Sequence, residues 1–282
     1  MTIYGRQTDD PFVYLRLYVP VGTIHNTAGV IPGTAHFLEH MACNRSALFP
    51  ELDSFNERIK LNGGGVNAWT SNTHTCYHFN VHASMFAEAF MGLLSRVFEP
   101  LLDESDIPNE ISVISNERRR KNKWYPAVKE LYHHHLTKWK HIYPVSLSQV
   151  FGEDSDLNAM NSDGLRDFHK NYFDPRVHVI VGGSYDHSLM CRELSRFETR
   201  RHQLPEKFDQ VRWQQREYHE KGFADENGFT YNIGGIVDQP SYHVLQGIYF
   251  LGNLLVNSVH GPLYKWLRSE LGWSYGVSFD FK

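Results

Sequence analysis

Over residues 13–21 the chain alternates (VYLRLYVPV), with β-branched and aromatic side chains recurring at a period of two, which predicts a strand. Residues 22–33 are turn-rich, and Thr34 is then expected to cap a helix over 35–43. Leu52, Phe55 and Ile59 recur at helical spacing, predicting a second helix over 52–61 that Asn62-Gly63 brings to a stop. Three glycines, 63–65, lead into strand material at 66–71 and 75–81. Residues 84–98 (SMFAEAFMGLLSRVF) read as a long, strongly apolar helix. Pro108 suits the first turn of a helix that runs to Lys123. More helix is expected over 126–140 and 162–172, then a buried strand over 177–181 ending at Gly182-Gly183.

The pattern then changes. Residues 197–221 are polar, charged and weakly periodic. Beyond them come strand material at 229–234, helices over 242–256 and 262–271, and a strand at 274–281. This order predicts an α+β fold: an N-terminal domain over 1–196 with a mixed, largely antiparallel sheet covered by helices, a charged linker over 197–225, and the start of a second, similar domain over 226–282.

Composition narrows the function classes. The chain has 282 residues, 41% hydrophobic and 21% charged, which is the balance of a globular protein rather than a disordered one. A net charge of −4 gives no whole-chain footprint for nucleic acid. Three scattered cysteines, Cys43, Cys76 and Cys191, form no disulfide framework and suit a reducing compartment. No signal-peptide core or membrane-length apolar run is present, so the reading is a cytoplasmic protein with no membrane and no nucleic-acid partner. Seventeen histidines make metal chemistry worth seeking.

The sharpest motif is His36-Phe37-Leu38-Glu39-His40. Positions i and i+4 of a helix lie one turn apart on one face, so two imidazoles can share one ion and Glu39 can reach a water beside it. With this His and Glu content such a pattern arises by chance on the order of 0.06 times. Two histidines on a helix face can also be hydrogen-bonded core residues. A catalytic zinc needs a third protein ligand and an open position. Glu110 and Glu117 lie seven residues, two helical turns, apart on the helix after Pro108; either could be that ligand and the other a partner orienting a histidine, or both could face solvent.

At this point the chain resembles the pitrilysin/insulinase family of inverted-zincin metallopeptidases, including the bacterial processing-peptidase-like members. In that family the H-x-x-E-H helix is followed by a distant glutamate ligand with a second functional glutamate seven residues before it. Glu117 lies 77 residues after His40, and Glu110 lies seven before Glu117. The resemblance implies one Zn2+ per chain held by His36, His40 and Glu117, with Glu39 as the base and Glu110 supporting catalysis. Gly64 to Ser71 (GGVNAWTS) is similar to the family's Gly-x-x-Asn-Ala-x-Thr segment, which implies that Asn67 and Ala68 bind substrate backbone as an added strand. Residues 261–275 resemble the second family domain, implying catalytic roles for Arg268 and Tyr275, which have the family's spacing of seven.

The function so implied is a zinc-dependent metalloendopeptidase acting on extended or unfolded peptides. The alternative is a non-cleaving partner subunit or a truncated, inactive member of the family. The family's second domain continues well past the motif at 261–275, so a chain ending at Lys282 stops in mid-domain. The partners expected are a peptide substrate and a second chain, either a homodimer mate or one that completes the second domain. Other candidates carry blander readings. His74, Cys76 and His78 alternate on one strand face and suit a polar, hydrogen-bonded sheet surface. His133-His134-His135 fan around a helix and cannot share one ion well. Arg118 to Lys121 suit a solvated helix end. Cys43 suits a small buried hydrophobe.

Overall fold

The structure is a computed structural model that describes residues 1–26, 29–71, 73–123, 148–173, 177–197, 219–225, 228–234, 242–256 and 261–272. The chain divides into two compact units, Met1–Phe208 and Asp209–Lys282.

The first unit is built on a five-stranded sheet of β1 (Thr2–Gln7), β2 (Phe12–Val19), β3 (Gly65–Thr70), β4 (Thr75–His82) and β5 (His178–Gly183), in the order β1-β5-β2-β4-β3. Only β1 and β5 run parallel; the other three pairings are antiparallel. The predicted mixed, largely antiparallel α+β architecture is therefore present. Strand β2 shows why its sequence read so clearly. Val13, Leu15, Leu17 and Val19 are fully buried, while Phe12, Tyr14 and Arg16 are exposed. Tyr77, Phe79 and Val81 of β4 and Val179 and Val181 of β5 continue the buried face.

Helices α1 (Thr34–Asn44) and α2 (Ser54–Leu61) lie between β2 and β3, and α3 (Phe86–Phe98) and α4 (Ile107–Lys123) come after β4, in the expected order. Helix α3 is the apolar one predicted; Phe86, Ala89, Phe90, Leu93, Leu94 and Val97 are all buried in the common core. Among the described residues α4 is followed by α5 (Ser148–Phe151), α6 (Asp154–Asn158) and α7 (Ser162–Tyr172). Helix α8 (His187–Ser195) closes the unit. It has a good start signal, since Asp186 accepts a hydrogen bond from the Leu189 N–H, and the sequence reading passed over it.

Two local expectations are corrected, one strand is added and one stop signal holds. Thr34 does not cap α1. The cap is Gly33, in the left-handed region at φ 90°, and Thr34 is the first helical residue, its hydroxyl donating to the Ile31 carbonyl at 2.6 Å. Leu52 lies outside α2, which begins at Ser54, and is exposed. Strand β1 was not foreseen, because its residues are almost all exposed and carry no apolar alternation; pairing with β5 makes it a strand. Asn62-Gly63 does end α2, with Gly63 at φ 74°.

In the second unit β6 (His219–Asp225) and β7 (Gly228–Gly234) pair antiparallel. Strand β6 occupies the end of the stretch expected to be linker. Helices α9 (Tyr242–Val256) and α10 (Pro262–Tyr264) follow, with a π-turn over Lys265–Glu270. The helix expected over 126–140 and the strand expected over 274–281 lie outside the described residues, as do His133, His134 and His135. Among the described residues no helix is long and apolar enough to cross a membrane.

Candidate metal centre

Helix α1 packs against both β3 and α4. His36 and His40 sit one turn apart on α1, their rings 4.7 Å apart and edge to face. Glu117, on α4, meets both: its Oε2 lies 3.6 Å from His36 Nε2 and 3.6 Å from His40 Nε2. The three ligand atoms all lie within 4.8 Å of one another, and this is the one such His/Cys/Asp/Glu group among the described residues. Tetrahedral ligands held ~2.0–2.1 Å from a shared zinc ion are separated by about 3.3–3.4 Å, and the two 3.6 Å spacings to Glu117 are close to that value. Two imidazole nitrogens and one carboxylate, with no fourth His, Cys, Asp or Glu atom grouped with them among the described residues, is a donor set of the kind that catalytic zinc sites use.

A second layer of contacts fixes these side chains. The Nδ1–H of His40 donates to Glu110 Oε2 at 3.0 Å, which leaves Nε2 for the ion. Glu110 is itself held by Asn44, whose Nδ2 donates to Oε1 at 3.1 Å. Glu39 is buried, and the Thr70 hydroxyl of β3 donates to its Oε2 at 2.8 Å. His36, Glu39, His40, Glu110 and Glu117, chosen from 82 residues of sequence, thus converge on one cleft of about 490 Å³.

Strand β3 is the sheet edge and forms one wall of this cleft. Asn67 is exposed there, and its Oδ1 accepts a hydrogen bond from the Ala68 N–H at 2.9 Å. Arg268 lies in the second unit, its guanidinium over the Tyr264 ring at 5.2 Å and hydrogen-bonded to the Tyr264 hydroxyl. Tyr275 lies outside the described residues.

A third segment, unforeseen in the sequence, ties the two ligand-bearing helices together. Phe151 packs edge-on against His36, ring centroids 5.0 Å apart. A Cβ built on Gly33, at the start of α1, would stand 2.8 Å from Gly152 N and Phe151 O. From α4, Arg118 donates to the Gly152 carbonyl at 2.7 Å and pairs with Asp154. Arg118 is therefore not the solvated helix-end charge that its basic neighbours suggest. Burial pushes the Cys43 thiol up to about 12, which suits the small hydrophobe expected there, and its sulfur is not among the three grouped ligand atoms. His74 and His78, on the opposite sheet face, are lowered by burial.

The electrostatics bear on loading. Burial works against a charge on His40, but the hydrogen bonds to Glu110 and Glu117 and the nearby Glu39 outweigh it and raise its pKa to about 9 in the metal-free site. Burial likewise opposes the Glu110 charge, and the bonds from His40 and Asn44 outweigh it, holding Glu110 below the usual glutamate range. A metal can bind His40 only as the neutral ring, so zinc must displace this proton. Calorimetry at pH 7.5 in buffers of different ionisation enthalpy should show about one proton released per zinc, and apparent affinity should rise roughly tenfold per pH unit up to about pH 9. The metal-free protein has the opposite dependence. A raised His40 stabilises it fully below the unfolded pKa near 6.5, and that contribution is lost as pH rises through about 9. Urea midpoints for metal-free protein should therefore fall between pH 7 and pH 9.5.

Comparison with known sequences and structures bears on the family and the fold. A family model described as "Insulinase (Peptidase family M16)" matches residues 2–144, which hold all five residues of the metal cleft named above. A second, described as "Peptidase M16 inactive domain", matches residues 159–282. Among curated proteins, "Insulin-degrading enzyme-like 1, peroxisomal" from Arabidopsis thaliana is 34% identical over 128 residues, 44% of this chain and 13% of that protein. "Uncharacterized zinc protease YmxG" from Bacillus subtilis is 29% identical over 183 residues, 63% of this chain and 42% of that protein. The chain thus spans well under two thirds of the length of these relatives. Among solved structures, pitrilysin superposes with a TM-score of 0.61 at 22% identity, over 72% of this chain and 23% of pitrilysin. The fold is shared with that structure, and the two family models between them account for most of the sequence. The chain belongs to the insulinase family of peptidases, family M16.

Proposed function

We propose that this chain is a zinc-dependent metalloendopeptidase that hydrolyses extended or unfolded peptides. The observation that carries the reading is the convergence of His36, His40 and Glu117 at ligand spacing with a buried carboxylate, Glu39, one residue from His40. Zinc bound by those three residues supplies Lewis acidity, polarising the scissile carbonyl and lowering the pKa of water toward about 7. Glu39 takes the proton from the attacking water and passes it to the leaving amine. Thr70 orients that carboxylate through its hydroxyl. Glu110 holds the His40 ring in the tautomer that offers Nε2. The edge of β3, at Asn67 and Ala68, pairs with the substrate backbone as an added strand, which restricts substrates to chains with a free backbone edge.

The alternative, a non-cleaving partner subunit of the same family, is weaker because the ligands, the base and the supporting Glu110 are all present in one cleft. The test is metal analysis of the purified chain together with cleavage of a quenched peptide. We expect about one zinc per chain, turnover abolished by a chelator and restored by zinc, and zinc content falling by at least about tenfold in Glu117→Ala. Stoichiometric zinc in Glu117→Ala would remove Glu117 from the ligand set. A zinc-loaded chain that cleaves no peptide would favour the partner-subunit reading.

A further inference from the structure

The cleft has a second charged end. Arg96, near the C-terminus of α3, lines it together with Cys43, Asn44 and Asn56, yet only 2% of its surface is exposed. Its neighbours account for little of its charge. One Nη2–H donates to the Cys43 carbonyl at 2.7 Å, and the guanidinium lies 4.4 Å over the Phe55 ring. No carboxylate oxygen forms an ion pair with it among the described residues. The less buried Arg45 and Arg118 both have one, Asp106 and Asp154 respectively. Asp53 acts on Arg96 only through space, and its own carboxylate is taken up by Asn56. Nearby, the Tyr77 hydroxyl is buried with no hydrogen-bond partner.

A buried guanidinium without a counter-ion is costly, and an apolar side chain would serve the core better. Capping the Cys43 carbonyl, in the last turn of α1, is a structural use for one of its five N–H groups. It does not explain why a full positive charge lines a cleft whose metal end carries Glu39, Glu110 and Glu117. The ordinary complement of a planar fork of donors is a carboxylate.

We infer that Arg96 is a specificity determinant of the cleft, receiving the carboxylate of an aspartate or glutamate side chain next to the scissile bond of the bound peptide. This rests on the peptidase reading above. Cleavage preference for an acidic residue then comes from a charge that is already desolvated, so that an uncharged isostere leaves it unpaired.

The test uses zinc-loaded full chain and C-terminally amidated, quenched peptides that differ only by Asp or Asn, one flanking position at a time. Amidation separates an acidic side chain from a free chain terminus, and a matched set with free carboxyl ends tests the latter. At one position kcat/KM should be roughly 10–100-fold higher for Asp than for Asn. Arg96→Gln should bring that ratio to within about threefold of unity while retaining turnover of the Asn peptide, and Arg96→Lys should keep part of it. Equal wild-type rates for Asp and Asn at every position overturn the inference without any variant. So does an Arg96→Gln enzyme that is slower on both peptides by the same factor, since that marks a helix cap only. A preference confined to the free-carboxyl set overturns it in favour of the chain terminus. Anisotropy binding of the same peptides to zinc-loaded Glu39→Gln separates the two readings. Acid-selective binding without wild-type turnover would overturn the peptidase reading and uphold the subsite. Unselective binding would overturn the subsite alone, provided wild-type turnover is present.

Discussion

Glu39→Gln should reduce peptide turnover by about 10²–10⁴-fold while leaving zinc content at the wild-type level. The substitution keeps the volume of the side chain and its capacity to accept the Thr70 hydrogen bond, so the cleft should hold its shape. It removes only the ability to take a proton. Glu39 is not one of the three converging ligand atoms, which is why metal retention is the decisive companion measurement. Loss of zinc along with activity would show Glu39 to be part of the coordination. Wild-type turnover in the variant would show that another group moves the proton.

Gly33→Ala should destabilise the first unit by about 2–3 kcal/mol and lower its melting temperature by roughly 5–10 °C. Two separate costs are involved. Gly33 sits at φ 90°, a conformation that L-residues reach only with strain, and its Cβ would collide with backbone rather than with a side chain that could swing away. Gly29→Ala is the control: its φ is 91°, with nothing within 4 Å of the added carbon, so it isolates the backbone strain. The difference between the two variants measures the close approach of residues 151–152 to the start of α1. Because that approach also carries Phe151 against His36, Gly33→Ala should weaken zinc binding where Gly29→Ala does not. Equal behaviour of the two would mean that the contact with residues 151–152 contributes nothing.

How much of this was legible in the sequence follows from which interactions are local. The i, i+4 placement of His36 and His40 is a property of any helix, and the apolar run of α3 and the alternation of β2 belong to their own segments. All three were readable. That Glu117 rather than Glu110 faces the two imidazoles depends on how α4 lies against α1. Periodicity left the two equivalent, and only the family resemblance separated them. Gly33, Gly152 and Arg118 were not legible as a unit, because their meeting depends on chain returning after 24 residues that lie outside the described structure. Thr34 misled for a related reason: its hydroxyl is a good cap chemically, but a left-handed glycine before it moves the helix start by one residue. Arg96 did leave a trace. A single arginine inside the apolar run MGLLSRVF is out of place on a core helix, although nothing in the sequence says which cleft it lines. Strand β1 left almost none.

The bond from the Ala68 amide to the side chain of its own neighbour has a consequence for colloidal behaviour. An outermost β-ribbon invites identical molecules to stack upon it. Here one of its donors is already engaged, so an incoming chain must first evict the Asn67 amide. That small toll would fall equally on a peptide bound as proposed above and on sister copies. Asn67→Ala should accordingly make the protein more prone to self-association at high concentration, which light scattering would register.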